Sequence, residues 1–384
     1  MAKVRFGIVG CGGMGNAHLE YLVKMRSVKV TALCDVIEER AVKAAEQTGG
    51  TAFVDHRKML DSGAVDAIII ATPHYGHPPI AVDAFQRGVH VISEKPLGVT
   101  LTPVDQMIRA AKKSKCVFAV MYQNRGRGLI RKAKKMMSDG TVGEMARVYF
   151  LAPCFRSQSY WESDPWRGRW ATEGGGVLVN QAPHATDLLY HLCGMPSEVI
   201  GRWGTRLHHI EVEDEAECFL TWPNGATGYY ATAVNESPTL QYVRIVGDNG
   251  ILELRDRGLF FAKYKRGTTL RDYLLHSPSK WGAPKAQFQP VPYPKGRVAG
   301  HKAITMNVVR AIQGRAELVS PGVDGIGQVE ITCALLLSGA TGKPVRLPVD
   351  RKAYDRLMAR LIRQAKGRRK KAKKVKDSGV ELFE

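Results

Sequence analysis

Val4-Arg5-Phe6-Gly7-Ile8-Val9-Gly10-Cys11-Gly12-Gly13-Met14-Gly15 is followed by the amphipathic stretch Asn16 to Lys24, a second apolar run Val30 to Cys34, and Asp35. A strand-like run, a glycine turn, a helical period and another strand at this spacing make a βαβ unit. The glycines fit G-x-G-x-x-G. Gly10 permits the tight turn, Gly12 lets a pyrophosphate approach the backbone, and Gly15 lets helix and strand lie close. Gly13 and Met14 open the helix, whose N-terminus favours anionic charge. Asp35 lies 20 residues beyond Gly15, at the end of the second strand. A carboxylate there can accept bonds from ribose hydroxyls and repels a 2′-phosphate, so NAD is expected, with NADP disfavoured.

Working outward, further strands are expected at Ala67 to Ala71, Val89 to Ser93 and Cys116 to Met121, with helices at Glu38 to Gln47, Pro79 to Gln86 and Pro103 to Lys113. Five strands with crossovers make a doubly wound half. After about Gln123 a basic helix, Gly128 to Ser138, leads into strand candidates Met145 to Leu151, Val199 to Arg206, Ala216 to Trp222, Thr227 to Ala233, Tyr242 to Val246, Ile251 to Leu254 and Leu259 to Tyr264. The turn signals Pro223-Asn224-Gly225 and Asp248-Asn249-Gly250 make much of this sheet antiparallel. Helices His301 to Ile312 and Gly325 to Ser338 and a strand Val345 to Leu347 close that domain. The expected fold is α/β: an N-terminal doubly wound Rossmann domain (1–123), then an α+β domain with a large, mostly antiparallel open-faced sheet (124–349). A helix-like segment and a basic, disordered tail (350–384) follow.

Composition agrees with two to three domains at about 150 residues each. Of 384 residues, 44% are hydrophobic and 24% charged, which excludes wholesale disorder. The net charge of +20 is concentrated: Lys366 to Lys376 holds eight basic and no acidic residues. Seven scattered cysteines without a Cys-x-x-Cys pair argue against a disulfide framework or a zinc site, so no metal is expected. With no apolar signal core at the start and no run of 18 apolar residues, the chain is expected to be cytoplasmic and off the membrane.

Polar residues at the C-terminal edge of a doubly wound sheet are site candidates: Thr72, Pro73 and His77 after one strand, Glu94 and Lys95 after the next. A buried lysine there could exchange a proton with a substrate hydroxyl. Asn180, His184 and Asp187 stand at i, i+4 and i+7, which puts them on one helical face if the segment is helical throughout; Pro183 suggests that the helix starts near Ala182 to His184. A histidine on such a helix, taken alone, is more often a packing residue. Trp166, Arg167 and Arg169, in YWESDPWRGRW, pair planar rings with cationic donors suited to a sugar or to cofactor phosphates.

GCGGMG, Asp35, ATPHYGH, Glu94-Lys95-Pro96, GGGVLVNQAPHATDLLYHLCG and VGDNGILEL together resemble the glucose-fructose oxidoreductase and inositol dehydrogenase (Gfo/Idh/MocA) family over residues 3–349. The resemblance implies hydride exchange between NAD and a secondary alcohol or ketone of a sugar, glycoside or cyclitol. Lys95 and His184 then map onto the catalytic residues, with His184 as general base and Asn124 at the cleft-facing crossover. Many members carry Asp where this chain has Asn180, which cannot ionise. The resemblance also implies a homo-oligomer, dimer or tetramer. One alternative keeps NAD bound and cleaves or eliminates a glycoside through a transient keto-sugar. Another is a non-catalytic sensor, and nucleic acid is expected only non-specifically, through the basic tail.

Overall fold

A computed structural model of the chain describes residues 3–255, 258–265, 267–295 and 300–377, with side chains as far as 367. The first sheet contains β1 Val4–Val9, β2 Val28–Cys34, β3 Thr51–Phe53, β4 Ala67–Ile70, β5 His90–Ser93 and β6 Phe118–Val120. All pairings are parallel, in the order β3-β2-β1-β4-β5-β6. Helices cover both faces, so β4, Ala-Ile-Ile-Ile, is buried at every residue. The chain reverses its winding between β1 and β4, and there the ends of the strands leave a crevice for a ligand.

The second sheet contains β7 Met145–Leu151, β8 Glu198–Gly204, β9 Glu215–Thr221, β10 Thr227–Ala233, β11 Tyr242–Gly247, β12 Gly250–Arg255, β13 Gly258–Lys263, β14 Phe288–Pro290 and β15 Val345–Arg346. Its pairings are antiparallel except β7 with β10. Alternation along β9 buries Ala216, Cys218 and Leu220 and exposes Phe219; Tyr149, Leu151 and Ile200 are exposed likewise, so one face is open. The other face lies under helices Pro183–Cys193 and Ile326–Thr341. The latter is pinned to β8 by Trp203 Nε1 donating to Leu336 O (2.9 Å) and Gly201 N to Ser338 Oγ (2.9 Å). Among the described residues, Gly322–Thr341 is long and apolar enough to cross a membrane by length and composition, although no apolar run of that length was expected; most of it is buried in this core.

Two expectations fail. Helix His301–Ile312 was expected with the second domain, but its Ile304, Val308 and Val309 join Phe6, Ile8, Leu19 and Met121 in the first. Amphipathic spacing shows that a helix buries a face without saying against what. The basic run expected to be disordered continues the helix Arg351–Asp377, since lysine and arginine are good helix formers and no proline intervenes. Residues 378–384 of that tail lie outside the described residues. Early in this helix, Tyr354, Leu357, Met358 and Leu361 are buried, and Arg351 pairs with Asp105 (3.0 Å) and Glu330 (2.5 Å).

At the crossover, Arg125 is almost fully buried, with Nη2 2.6 Å from Asp187 Oδ1 and Nη1 3.1 Å from Asp324 Oδ2. Removing one partner of a buried pair leaves a charge uncompensated, at a cost of about 3 to 5 kcal/mol. Asp187→Asn should therefore lower the unfolding free energy by about 3 kcal/mol in urea titrations. A loss below about 1 kcal/mol, the size of an exposed pair, would show that the site admits water.

Candidate active site

The crevice opens into a cavity of about 1040 Å³ reaching from the glycine turn to the second domain. At one end stand Gly10, Gly12, Gly13, Met14 and Asp35; at the other stand Lys95, Gln123, Arg156, Tyr160, Trp166, Arg167, Asn180, Gln181, His184 and His301. Between them lie Thr72, Pro73, His74, His77 and Glu94.

The turn is shaped to receive a dinucleotide. Side chains added at Gly12 or Gly13 would meet nothing within 4 Å, leaving room for phosphates above the start of helix Gly13–Leu22. A Cβ on Gly15 would lie 1.9 Å from Gly10 O, so only glycine lets this helix pack on its strand. Asp35 accepts from Cys11 N (2.8 Å) and Ile37 N (2.9 Å). Those bonds hold the carboxylate still beside the turn, and its remaining lone pairs can meet ribose hydroxyls.

At the far end, Lys95 Nζ donates to Asn180 O (2.8 Å). Burial pushes the Lys95 ammonium below its usual range, helped by Arg167 and Arg156 and opposed by Glu94 and Glu173. Burial works to raise the Glu94 carboxyl, but the 2.8 Å bond with His18 Nε2 and the charges of His18, Lys95 and His301 hold it at about 2. Behind it, His18 Nδ1 meets Tyr21 OH (2.6 Å), which reaches Thr305 Oγ1 (2.8 Å). Gln123 Nε2 lies 3.2 Å from His184 Nε2, while His184 Nδ1 is buried without a partner. Burial, with Lys95 nearby, pushes His184 down to about 3, so its ring is neutral at ordinary pH.

The sequence matches two models of one family: "Oxidoreductase family, NAD-binding Rossmann fold" over residues 4–122, and the GFO/IDH/MocA C-terminal domain over residues 130–253. The chain belongs to the Gfo/Idh/MocA oxidoreductase family. It is 27% identical over 194 residues to the rhizopine catabolism protein MocA of Rhizobium meliloti, a match covering 50% of this chain and 58% of that protein. It is 25% identical over 275 residues to the myo-inositol 2-dehydrogenase of Thermotoga maritima, covering 70% and 77%. The solved WlbA dehydrogenase of Bordetella pertussis, in complex with NADH and UDP-GlcNAcA, superposes with a TM-score of 0.75 at 27% identity, over 91% of this chain and 100% of that one.

In this Gfo/Idh/MocA chain the expected residues do not all converge. Asn180 and His184 face the cavity, but Asp187 turns away to Arg125. Asn180 stands in a π-helical turn, Val177–Gln181, ahead of the α-helix that starts at Pro183; His184 and Asp187 both lie in that helix, where one side chain faces the cavity and the other meets Arg125. Arg169 is exposed and Asn124 is off the cavity wall, whereas its neighbour Gln123 is on it. Both ring nitrogens of His77 are held, by Pro96 O (2.7 Å) and Thr72 O (2.8 Å), so it ties the loop together. Sequence reasoning missed Gln123, Gln181, His18 and Glu173; His301, whose Nε2 lies 3.8 Å from Glu94 Oε1, carries no local signal beyond standing at a helix start. Among the described residues no group of three His, Cys, Asp or Glu is placed to hold a metal ion.

His74, buried, and His184, part-buried, are both pushed to about 3 and make stability depend on pH. Below about pH 6.5 the unfolded chain takes up protons that these rings refuse, so stability is full above that pH and falls as pH drops towards 3. Each ring should cost about 2 kcal/mol between pH 6.5 and 5. His184→Gln should flatten the fall in the urea midpoint from pH 7 to pH 5; a slope parallel to the parent's would count against a neutral ring.

Proposed function

We propose that this protein is an NAD-dependent dehydrogenase that exchanges a hydride with a secondary alcohol or ketone of a sugar or cyclitol. The observation that carries the reading is the cavity itself: the glycine turn with Asp35 at one end, and a buried lysine beside a neutral histidine at the other. Bound NAD would supply a hydride acceptor at the carbon. A relative named myo-inositol 2-dehydrogenase, and the WlbA dehydrogenase solved in complex with NADH and UDP-GlcNAcA, support the substrate class.

Lys95 is the proton acceptor in this reading. Burial brings its neutral amine within reach, and its bond to Asn180 O fixes where the amine points. A ring pushed to about 3 is a weak base, so His184, on the cavity wall, serves better as a hydrogen-bonding guide for the hydroxyl. This moves the base role from His184, where the sequence put it, to Lys95. Trp166 and Arg167, stacked with the guanidinium carbon 4.6 Å from the ring, would hold the cofactor's nicotinamide half. The open sheet face fits a homo-oligomer, and the basic helix end fits weak, salt-sensitive contact with polyanions.

Lys95→Ala should lower turnover by about 10² to 10⁴-fold with NAD affinity unchanged. His184→Ala should raise KM and lower kcat less. NADH formation across cyclitols, aldoses and glycosides is the direct assay; aglycone release without net NADH would favour the redox-neutral reading instead. Calorimetry should give tighter binding of NAD than of NADP, and Asp35→Ser should narrow that gap. Equal affinity in the unmodified chain would remove the role given to Asp35.

A further inference from the structure

Glu173 is wholly buried and is not part of the cavity wall. Its Oε1 accepts from Asn180 Nδ2, and its Oε2 accepts from Gly168 N at 2.5 Å. Asn180 is thus held at both ends: its side chain on Glu173, its backbone oxygen on Lys95 Nζ (2.8 Å). A second bond, from Asn180 Nδ2 to Tyr160 OH (3.3 Å), ties in the ring over which Arg167 stacks.

The charges around this pair are few. Lys95 feels two carboxylates, Glu94 and Glu173, and the cations Arg167 and Arg156; His74, His77, His184 and His301 lie within reach of its charge. Glu173 feels the charges of Lys95 and Arg167 and itself acts on the buried Glu213, which is occupied with Gly176 N (2.9 Å) and Leu178 N (3.0 Å). Glu94 is already engaged with His18 and the Lys95 amide. Glu94 is the larger carboxylate influence on the lysine and Glu173 the second, and Glu173 is the one tied to it through Asn180.

We propose that Glu173 is a positioning residue for Lys95: from behind the wall it fixes Asn180, whose backbone oxygen holds the amine, and it adds its negative charge to that of Glu94. It rests on the reading of Lys95 as the group that handles the substrate proton. Burial raises Glu173 to about 7, with Asn180, Gly168 and the nearby cations pulling the other way. Its charge, and with it the proton affinity of Lys95, would change across neutral pH.

Competitive labelling of the full-length chain with trace acetic anhydride, read by peptide mass spectrometry against pH, measures the midpoint of Lys95 without any substrate. Glu173→Gln and Glu173→Met should each lower that midpoint by about one pH unit, a tenfold loss of proton affinity, with other lysines unmoved. Glu173→Asp, which keeps the charge, should leave it in place. An unmoved midpoint in the neutral variants, or an equal shift in Glu173→Asp, overturns the proposal. So does loss of NAD binding in both neutral variants, which would make Glu173 a residue of the fold alone. If the wild-type chain forms no NADH from any sugar but the midpoint still shifts, the dehydrogenase reading falls and the coupling of Glu173 to Lys95 stands.

Discussion

An arginine sealed inside a protein needs a carboxylate sealed in with it, and Arg125 has Asp187 buried beside it and a second, part-exposed partner in Asp324, each from a distant part of the chain. It sits one short turn after β6, where the first domain gives way to the second. Asp187 comes from the helix that carries His184, and Asp324 from the turn that leads into the core helix Ile326–Thr341. The residue two before it, Gln123, reaches His184, and Tyr122 OH donates to Gln328 Oε1 (3.0 Å). One buried charge thereby fixes the angle at which the second domain presents its half of the site to the first. Without that angle, Lys95 on one domain and Asn180 on the other would not come within 2.8 Å.

The same economy recurs at the glycines. Gly176 cannot carry a side chain, because a Cβ there would lie 1.9 Å from Glu213 O. That close approach lets the backbone make the π-helical turn in which Asn180 stands. Asn180 stands in that π turn, while His184 and Asp187 lie in the α-helix after it; two of the three serve the cavity and the third serves the crossover.

Much of the frame was legible because its signals are local. The strand Val4–Val9, the glycine turn and Asp35 lie within a single βαβ unit, and helices Gly128–Ser138 and His301–Ile312 have the bounds that their periodicity suggests. What escaped is short or non-local. β3 has three residues next to Gly49-Gly50, and helix His56–Asp61 has too few turns to show a period. Glu173 and His18 look unremarkable along the chain. Their importance comes from partners 7 and 76 residues away, which no spacing rule links to them. The helical basic run erred the other way: low apolar content suggested disorder, while the residues that anchor its helix, Tyr354 to Leu361, lie upstream.

Burial decides how the work is divided at the reacting end. Taken from water, a lysine and a histidine both lose proton affinity, but from different starting points. The lysine begins far above neutrality, so burial brings it towards the range in which proton exchange is useful; the histidine begins near neutrality, so the same burial removes it from that range. Carboxylates then correct the lysine more, because both Glu94 and Glu173 act on it, while at His184 Glu94 is opposed by Lys95 and His301. A site that looks symmetrical in sequence, one cation-forming residue from each domain, thus becomes in space one proton carrier and one hydrogen-bonding guide.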